Sequence, residues 1–155
     1  VMDFGAEAAT DPDFLVEPEH IQAWEAEHGA LPEGAWLLLR TGWDKFIDDA
    51  DAFLNFDDTG SHTPGISAAC AKWLAEETPI AGLGVETLGT EAGNAGAFDP
   101  PFPAHYYLLG NNKYGVTLLQ NLAQLPATGA MVVVSPLKIV GGTASPARVL
   151  AFVER

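Results

Sequence analysis

Ala35-Trp36-Leu37-Leu38-Leu39-Arg40-Thr41-Gly42-Trp43 is an apolar run that ends in a turn signal, and Leu31-Pro32-Glu33-Gly34 is a turn just ahead of it. A short apolar run bounded on both sides predicts a buried strand over Ala35 to Arg40. Moving outward, helix signals alternate with strand signals. Upstream, Glu17-Pro18-Glu19-His20 starts a helix, with proline near its first position and acids in its first turn. Ile21, Trp24 and His28 share one face of it, and Gly29 stops it. Val1 to Phe4 reads as a short strand entering abruptly, and Ala6 to Val16 as loop. Downstream, Phe46 to Phe56 reads as a short helix with an excursion, and Thr63-Pro64-Gly65 as a turn. Ser67 is placed to cap a helix running to about Glu77, with Cys70, Trp73 and Leu74 on its inner face. Ile80 to Val85 is a strand candidate, and Glu86 to Pro103 an aperiodic loop of a length that is often functional. One or two helical turns follow at His105 to Leu109, then a short helix at Leu118 to Leu125. Met131 to Val134 reads as a buried strand, Pro136 to Ile139 as extended, Gly141-Gly142 as a turn and Arg148 to Val153 as a last strand. Strands alternating with helices over 155 residues predict one α/β domain.

The chain is 48% hydrophobic and 18% charged, as a globular protein is. Seven basic residues against 21 acidic ones give a net charge of -14. That balance argues against nucleic acid and against an anionic membrane surface, since both need clustered lysine and arginine. The charge is uneven. Arg40 and Lys45 are the only bases from Val1 to Phe56, whereas Asp99 and Glu154 are the only acids from Phe98 onward. Two readings are open: an acidic face that keeps the chain soluble, or a less acidic region suited to an anionic substrate. The single Cys70 excludes an intrachain disulfide framework and a cysteine-rich zinc site. No apolar run reaches the roughly 20 residues of a membrane span, and no signal segment is visible, so a cytoplasmic location is expected.

Several kinds of chemistry are absent from the motifs. There is no G-x-S-x-G elbow, no phosphate-binding glycine loop and no H-E-x-x-H. The four histidines, at 20, 28, 62 and 105, form no local ligand pair at helical spacing. His62 lies in a loop just before a helix and His105 between aromatic residues. Each reads from spacing as either a structural residue or a functional one. The residues alone build no complete catalytic constellation.

An ordered set of short motifs says more. Arg40-Thr41-Gly42-Trp43, Thr63-Pro64-Gly65 followed by Trp73-Leu74-Ala75, and Pro103-Ala104-His105 with Leu108-Leu109-Gly110 come first. Asn121-Leu122-Ala123-Gln124-Leu125-Pro126, Pro136-Leu137-Lys138-Ile139 and Gly141-Gly142-Thr143-Ala144-Ser145-Pro146-Ala147-Arg148 follow. In this order, from about residue 17 to the end of the chain, they resemble the cyclase family of metal-dependent hydrolases, which includes kynurenine formamidases and isatin hydrolases. The resemblance implies a swivelling β/β/α fold, a mixed sheet with flanking helices. That family's metal signature, H-x-G-T-H-x-D-x-P-x-H, belongs further upstream, and nothing in Val1 to Glu17 resembles it. Residues 1–155 are therefore expected to be the C-terminal part of a single domain, incomplete on its N-terminal side.

The resemblance also implies site residues. Many members place a metal-binding glutamate where this chain has Gln120. An amide brings one carbonyl oxygen and no charge, which points to one divalent ion, manganese or zinc, rather than two. That ion would activate a water against an amide, formamide or lactam carbon. His105 would orient water or substrate or move a proton, and in two-metal relatives the equivalent histidine is a ligand. Trp43, His62, Phe102 and Tyr106 are substrate-binding candidates for a small molecule, aromatic ones included, and Tyr107 is a further aromatic near them. Lys138 and Arg148 are either structural or face an anionic product. A homo-oligomer is expected. The competing expectation is a metal-free homologue that binds a small molecule or a protein.

Overall fold

The computed structural model describes residues 1–154. In chain order the elements are β1 (Met2–Asp3), α1 (Gly5–Thr10), β2 (Leu15–Val16), α2 (Pro18–His28), β3 (Trp36–Arg40) and α3 (Ala50–Leu54). They continue with β4 (Phe56–Asp57), β5 (Gly60–Ser61), β6 (Gly65–Ile66), α4 (Ala68–Glu76), β7 (Gly82–Val85) and α5 (Pro103–Tyr107). The last three are β8 (Tyr114–Val116), β9 (Met131–Pro136) and β10 (Ala147–Phe152). Short 3-10 turns at Trp43–Phe46, Ala95–Ala97, Leu109–Asn111 and Leu122–Gln124 fill the connections.

The centre is a four-stranded parallel sheet in the order β1-β3-β7-β8. Parallel and antiparallel pairing both occur but are segregated. β2 pairs β6 in parallel, and the antiparallel pairs are the β4–β5 and β9–β10 hairpins. The apolar run that predicts β3 is continuous because both faces of a central parallel strand are covered. Leu37 and Leu39 enter the main core with Leu83, Val85, Ile21, Cys70 and Leu74, beneath α2 and α4. Leu38 points to the other face and packs with Leu119 and Leu122, with Val132 and Val149 of the β9–β10 hairpin behind them. On that second face β7 presents glycine. A Cβ on Gly84 would lie 2.6 Å from Leu38 Cδ2 and 2.7 Å from Leu119 Cδ1, so only glycine lets those leucines lie flat on the sheet.

The helix signals are confirmed in their chemistry. Ser67 Oγ accepts the Cys70 N–H at the start of α4 and also donates to Glu17 Oε2. Glu17 and His20 form a reciprocal capping box on α2, which ends at Gly29. The short helix expected over Leu118 to Leu125 shrinks to a 3-10 turn at Leu122–Gln124, and Leu118 and Asn121 are left-handed instead. Three other expectations fail. Ala6 to Val16 is not loop, because its alanine-rich start folds as α1 and Leu15–Val16 pairs with β6. Thr63-Pro64-Gly65 is not a turn. It is buried and extended and leads into β6, where Gly65 serves a close approach rather than a reversal. Met131 to Val134 is a strand but only half-covered. Its hairpin turns Met131, Val133, Leu150 and Phe152 outward, since only the opposite face meets the Leu38 cluster. β8, which completes the sheet, is too short and too exposed to leave a sequence signal.

Candidate active site

Side chains and turns converge beyond the C-terminal ends of β3 and β7, the end of a parallel sheet where ligands bind. β3 runs into Thr41-Gly42-Trp43. There the Thr41 N–H, the Thr41 hydroxyl and the Trp43 N–H all donate to one oxygen, Glu86 Oε2, at 2.7, 3.2 and 3.1 Å. Gly42 makes the convergence possible by adopting a left-handed φ of 67°. Glu86 directly follows β7 and is buried. Its second oxygen, Oε1, is also buried and has no partner among the described residues. Burial pushes the Glu86 carboxyl above the usual carboxylate range. The Thr41 N–H opposes that, the nearby Asp44 charge adds to it, and the Trp43 N–H opposes it again.

Five residues further on, Glu91 is buried too. Its Oε1 accepts the backbone N–H of His105 at 2.8 Å and the ring Nδ1–H of His105 at 2.7 Å. Thr90 Oγ1 donates to the other oxygen at 3.0 Å. In a neutral imidazole that donates through Nδ1, Nε2 is the acceptor. The His105 side chain is 58% exposed, so that acceptor is accessible.

Gln120 lies in a third segment. Leu118 donates its N–H to Thr87 O, Leu119 to Val85 O and Asn121 to Asp44 Oδ2, which stitches the segment across the ends of both strands. Leu118 and Asn121 carry left-handed φ values of 62° and 65°. Phe102, at the start of α5, carries one of 53°. For bulky residues such as Leu118 and Phe102 this conformation costs about 1–3 kcal/mol each, and such strain concentrates at functional sites. Gln120 itself is exposed, and its side chain has no hydrogen-bond partner among the described residues.

The other candidates divide. Phe102 is half-exposed and packs edge-on to His105, with ring centroids 6.5 Å apart. Tyr106 is exposed, edge-on to Tyr107. Trp43 is buried against Phe46, and its indole N–H donates to Phe53 O at 2.9 Å. His62 pairs away from His105. Its Nδ1 meets Asp13 at 2.7 Å, and its Nε2 meets Asp57 at 3.1 Å and Thr59 at 2.8 Å. Lys138 and Arg148 belong to the β9–β10 arm. Glu86, Glu91 and Asp44 escape the sequence reading. For Glu86 a signal exists, because an acid placed directly after a buried parallel strand lies at the ligand-binding end.

This fold and site define the class of the chain: it belongs to the Cyclase family, whose model, described as "Putative cyclase", matches residues 1–92. That match covers Arg40–Trp43 and Thr63–Ala75 and ends before Phe102. Individual relatives match the chain over its whole length. The isatin hydrolase of Roseibium aggregatum is 48% identical over all 155 residues, which is 59% of its own length. An isatin hydrolase crystallised with the product analogue thioisatinate superposes with a TM-score of 0.96 at 47% identity, over 99% of this chain and 58% of that one. A structure described as a potential metal-dependent hydrolase with cyclase activity gives a TM-score of 0.67 at 25% identity, over 97% and 61%. The chain thus spans about three-fifths of the length of the isatin hydrolases it matches. Among the described residues, no helix is long and apolar enough to cross a membrane.

Proposed function

We propose that the chain forms part of a metal-dependent hydrolase of the isatin-hydrolase type, one that opens a cyclic amide or cleaves a formamide. The observation that carries this reading is the His105–Glu91 pair. An exposed imidazole nitrogen is kept free as a proton acceptor by a buried carboxylate, at the ligand-binding end of the sheet. The identity to isatin hydrolase supplies the reaction class.

No group of three or more His, Cys, Asp or Glu among the described residues is placed to hold a metal ion. The donor on offer is the uncommitted Gln120 amide oxygen, which carries no charge and suits an open corner of a divalent site. We assign the remaining ligands to the part of the domain that this chain does not span. A single divalent ion, manganese or zinc, when bound, acidifies a water and polarises a carbonyl. The chain's own residues do the rest. His105 Nε2 takes the proton of the attacking water, and the Glu91 charge behind Nδ1 stabilises the imidazolium so formed. As the amide C–N bond breaks, the same proton is returned to the departing nitrogen. Phe102 and Tyr106, the exposed aromatics on either side of His105 in sequence, stack on an aromatic substrate. Trp43 and His62 support the site from its frame, through the contacts already described.

The test uses the full encoded protein, loaded with manganese or zinc and assayed on isatin, N-formylkynurenine and simple lactams. Ring opening that His105→Ala reduces by about 100-fold or more, as loss of a general base does, is the expected result. A metal-loaded, folded protein that turns over none of these amides overturns the reading.

A further inference from the structure

The inference rests on the reading of Gln120 as a metal-binding residue. Gln120 has no side-chain hydrogen bond among the described residues, and it lies between Leu118 and Asn121, both left-handed, a conformation that is strained for the leucine. Its position is set entirely by the N–H groups around it. Two of these, from Leu118 and Leu119, are tied to the end of β7. The third, from Asn121, reaches 3.0 Å across to the Asp44 carboxylate, in the turn that follows β3. The orientation of Asp44 depends in turn on Thr41-Gly42-Trp43, where three donors meet at Glu86 Oε2. Glu86 is only 1% exposed. Burying a carboxyl is costly, and an apolar side chain would fill the space without that penalty. A carboxyl in this position therefore needs a reason. Its one engaged oxygen is the point at which the end of β3 is fastened to the end of β7, the two strand ends between which the Gln120 segment is hung.

We infer that Glu86 is a positioning residue for Gln120. By gathering the Thr41 and Trp43 donors it fixes the turn that carries Asp44, and Asp44 holds the Asn121 N–H that sets the Leu118–Asn121 segment. The relay runs Glu86, Thr41–Trp43, Asp44, Asn121, Gln120. It needs one acceptor oxygen at position 86 and no negative charge there.

The experiment measures the affinity of the full encoded protein for manganese alone by titration calorimetry, with thermal melting as the check on folding. Gln120→Ala is expected to weaken manganese binding. Asp44→Ala, at a half-buried position, is expected to weaken it by about 10-fold with a smaller change in Tm than Glu86→Ala, the scale seen when a group behind a ligand is removed. Glu86→Ala should match Asp44→Ala. Glu86→Gln keeps the acceptor oxygen and should bind manganese like the parent, even if its amide nitrogen, placed where Oε1 is buried, lowers Tm. Combining Asp44→Ala with Gln120→Ala should bind no more weakly than Gln120→Ala alone, because both act through one ligand. If Glu86→Ala does not fold, Asp44→Ala, the double variant and Glu86→Gln still decide the matter. Full manganese affinity in Asp44→Ala, additive losses in the double variant, or Glu86→Gln as weak as Asp44→Ala would each overturn the relay. Unchanged affinity in Gln120→Ala would instead remove Gln120 from the ligand set and take the relay with it. The two failures are thereby told apart.

Discussion

A single oxygen of Glu91 accepts both the backbone N–H and the ring Nδ1–H of His105, at 2.8 and 2.7 Å. The imidazole is thereby tied to its own main chain through one atom, which fixes the ring's orientation and its tautomer together. Removing the carboxylate should free both. Glu91→Ala is expected to lower kcat of the full encoded protein by about 10- to 100-fold, the usual cost of losing the partner behind a working histidine. KM should change little. The ring nitrogen shifts of His105, read by NMR, should show Nε2 unprotonated in the parent and lose that preference in the variant. An unaltered tautomer in Glu91→Ala would remove Glu91 from this role.

The same carboxylate is placed by a glycine far from it in sequence. A Cβ on Gly65 would stand 2.1 Å from Ala92 N and 2.3 Å from Glu91 C, both backbone atoms that no side-chain rotation can move. Gly65→Ala must therefore displace either β6 or the Glu91 loop. We expect a loss of about 3 kcal/mol or more in unfolding free energy by urea denaturation, at the upper end of overpacking costs. Gly110→Ala, where nothing lies within 4 Å of the added carbon, is the control and should change little. A Gly65→Ala protein as stable as the control would mean that the close approach at β6 is not tight in solution.

The elements legible in the sequence are those whose cause is local. β3 reads clearly because a strand covered on both faces has no polar face to interrupt it. α2 and α4 read clearly because Glu17, Ser67 and Gly29 cap them within a few residues. The site is legible only in part, because its bonds are long-range. Glu91 and His105 are 14 residues apart, Thr41 and Glu86 are 45 apart, and Asp44 and Asn121 are 77 apart. No periodicity links such pairs. His105 and Gln120 stand out through resemblance to a family rather than through spacing, and of the acids around them only Glu86, directly after a buried strand, leaves a signal. Gly65 misleads for a related reason. Glycine marks turns often, but here it marks a crossing of two backbones. The Met131 to Val134 run misleads because apolar composition does not say how many faces of a strand are covered.

Cys70 lies on the inner face of α4, in the main core, with no exposed surface. Burial, helped by the charges of Glu17 and Glu19, pushes its thiol far above the ordinary cysteine range. The thiolate, the reactive form, is therefore scarce in the native state. Native protein should resist iodoacetamide at about pH 8, near the usual thiol pKa, while protein unfolded in urea should take up one equivalent. Rapid labelling of folded protein, followed by mass spectrometry, would show that α4 opens locally.

His62 clasps two segments of the chain through side-chain charge. Its Nδ1 bonds Asp13 in the stretch before β2, and its Nε2 bonds Asp57 and Thr59 in the β4–β5 hairpin. Bonds from Asp13 and then Asp57 raise the His62 pKa above its ordinary value, against a smaller opposing effect of burial. A group whose folded pKa is raised stabilises the fold fully below its unfolded pKa and loses that contribution as pH rises through the folded one. Asp57 runs the other way. The Thr59 hydroxyl and N–H, and then His62, lower it to about 2, so its contribution persists down to strong acid. Across neutral pH, His62 is thus the member of this cluster that titrates. The difference in Tm between the parent and His62→Gln should be largest near about pH 6 and shrink toward about pH 9, as the imidazolium is lost. Added salt should narrow the difference at the acidic end, because the cluster is partly exposed and its charges are screened. A difference that grows with pH would mean that neutral His62 holds the clasp better than charged His62, and the charge-based account of this corner would fail.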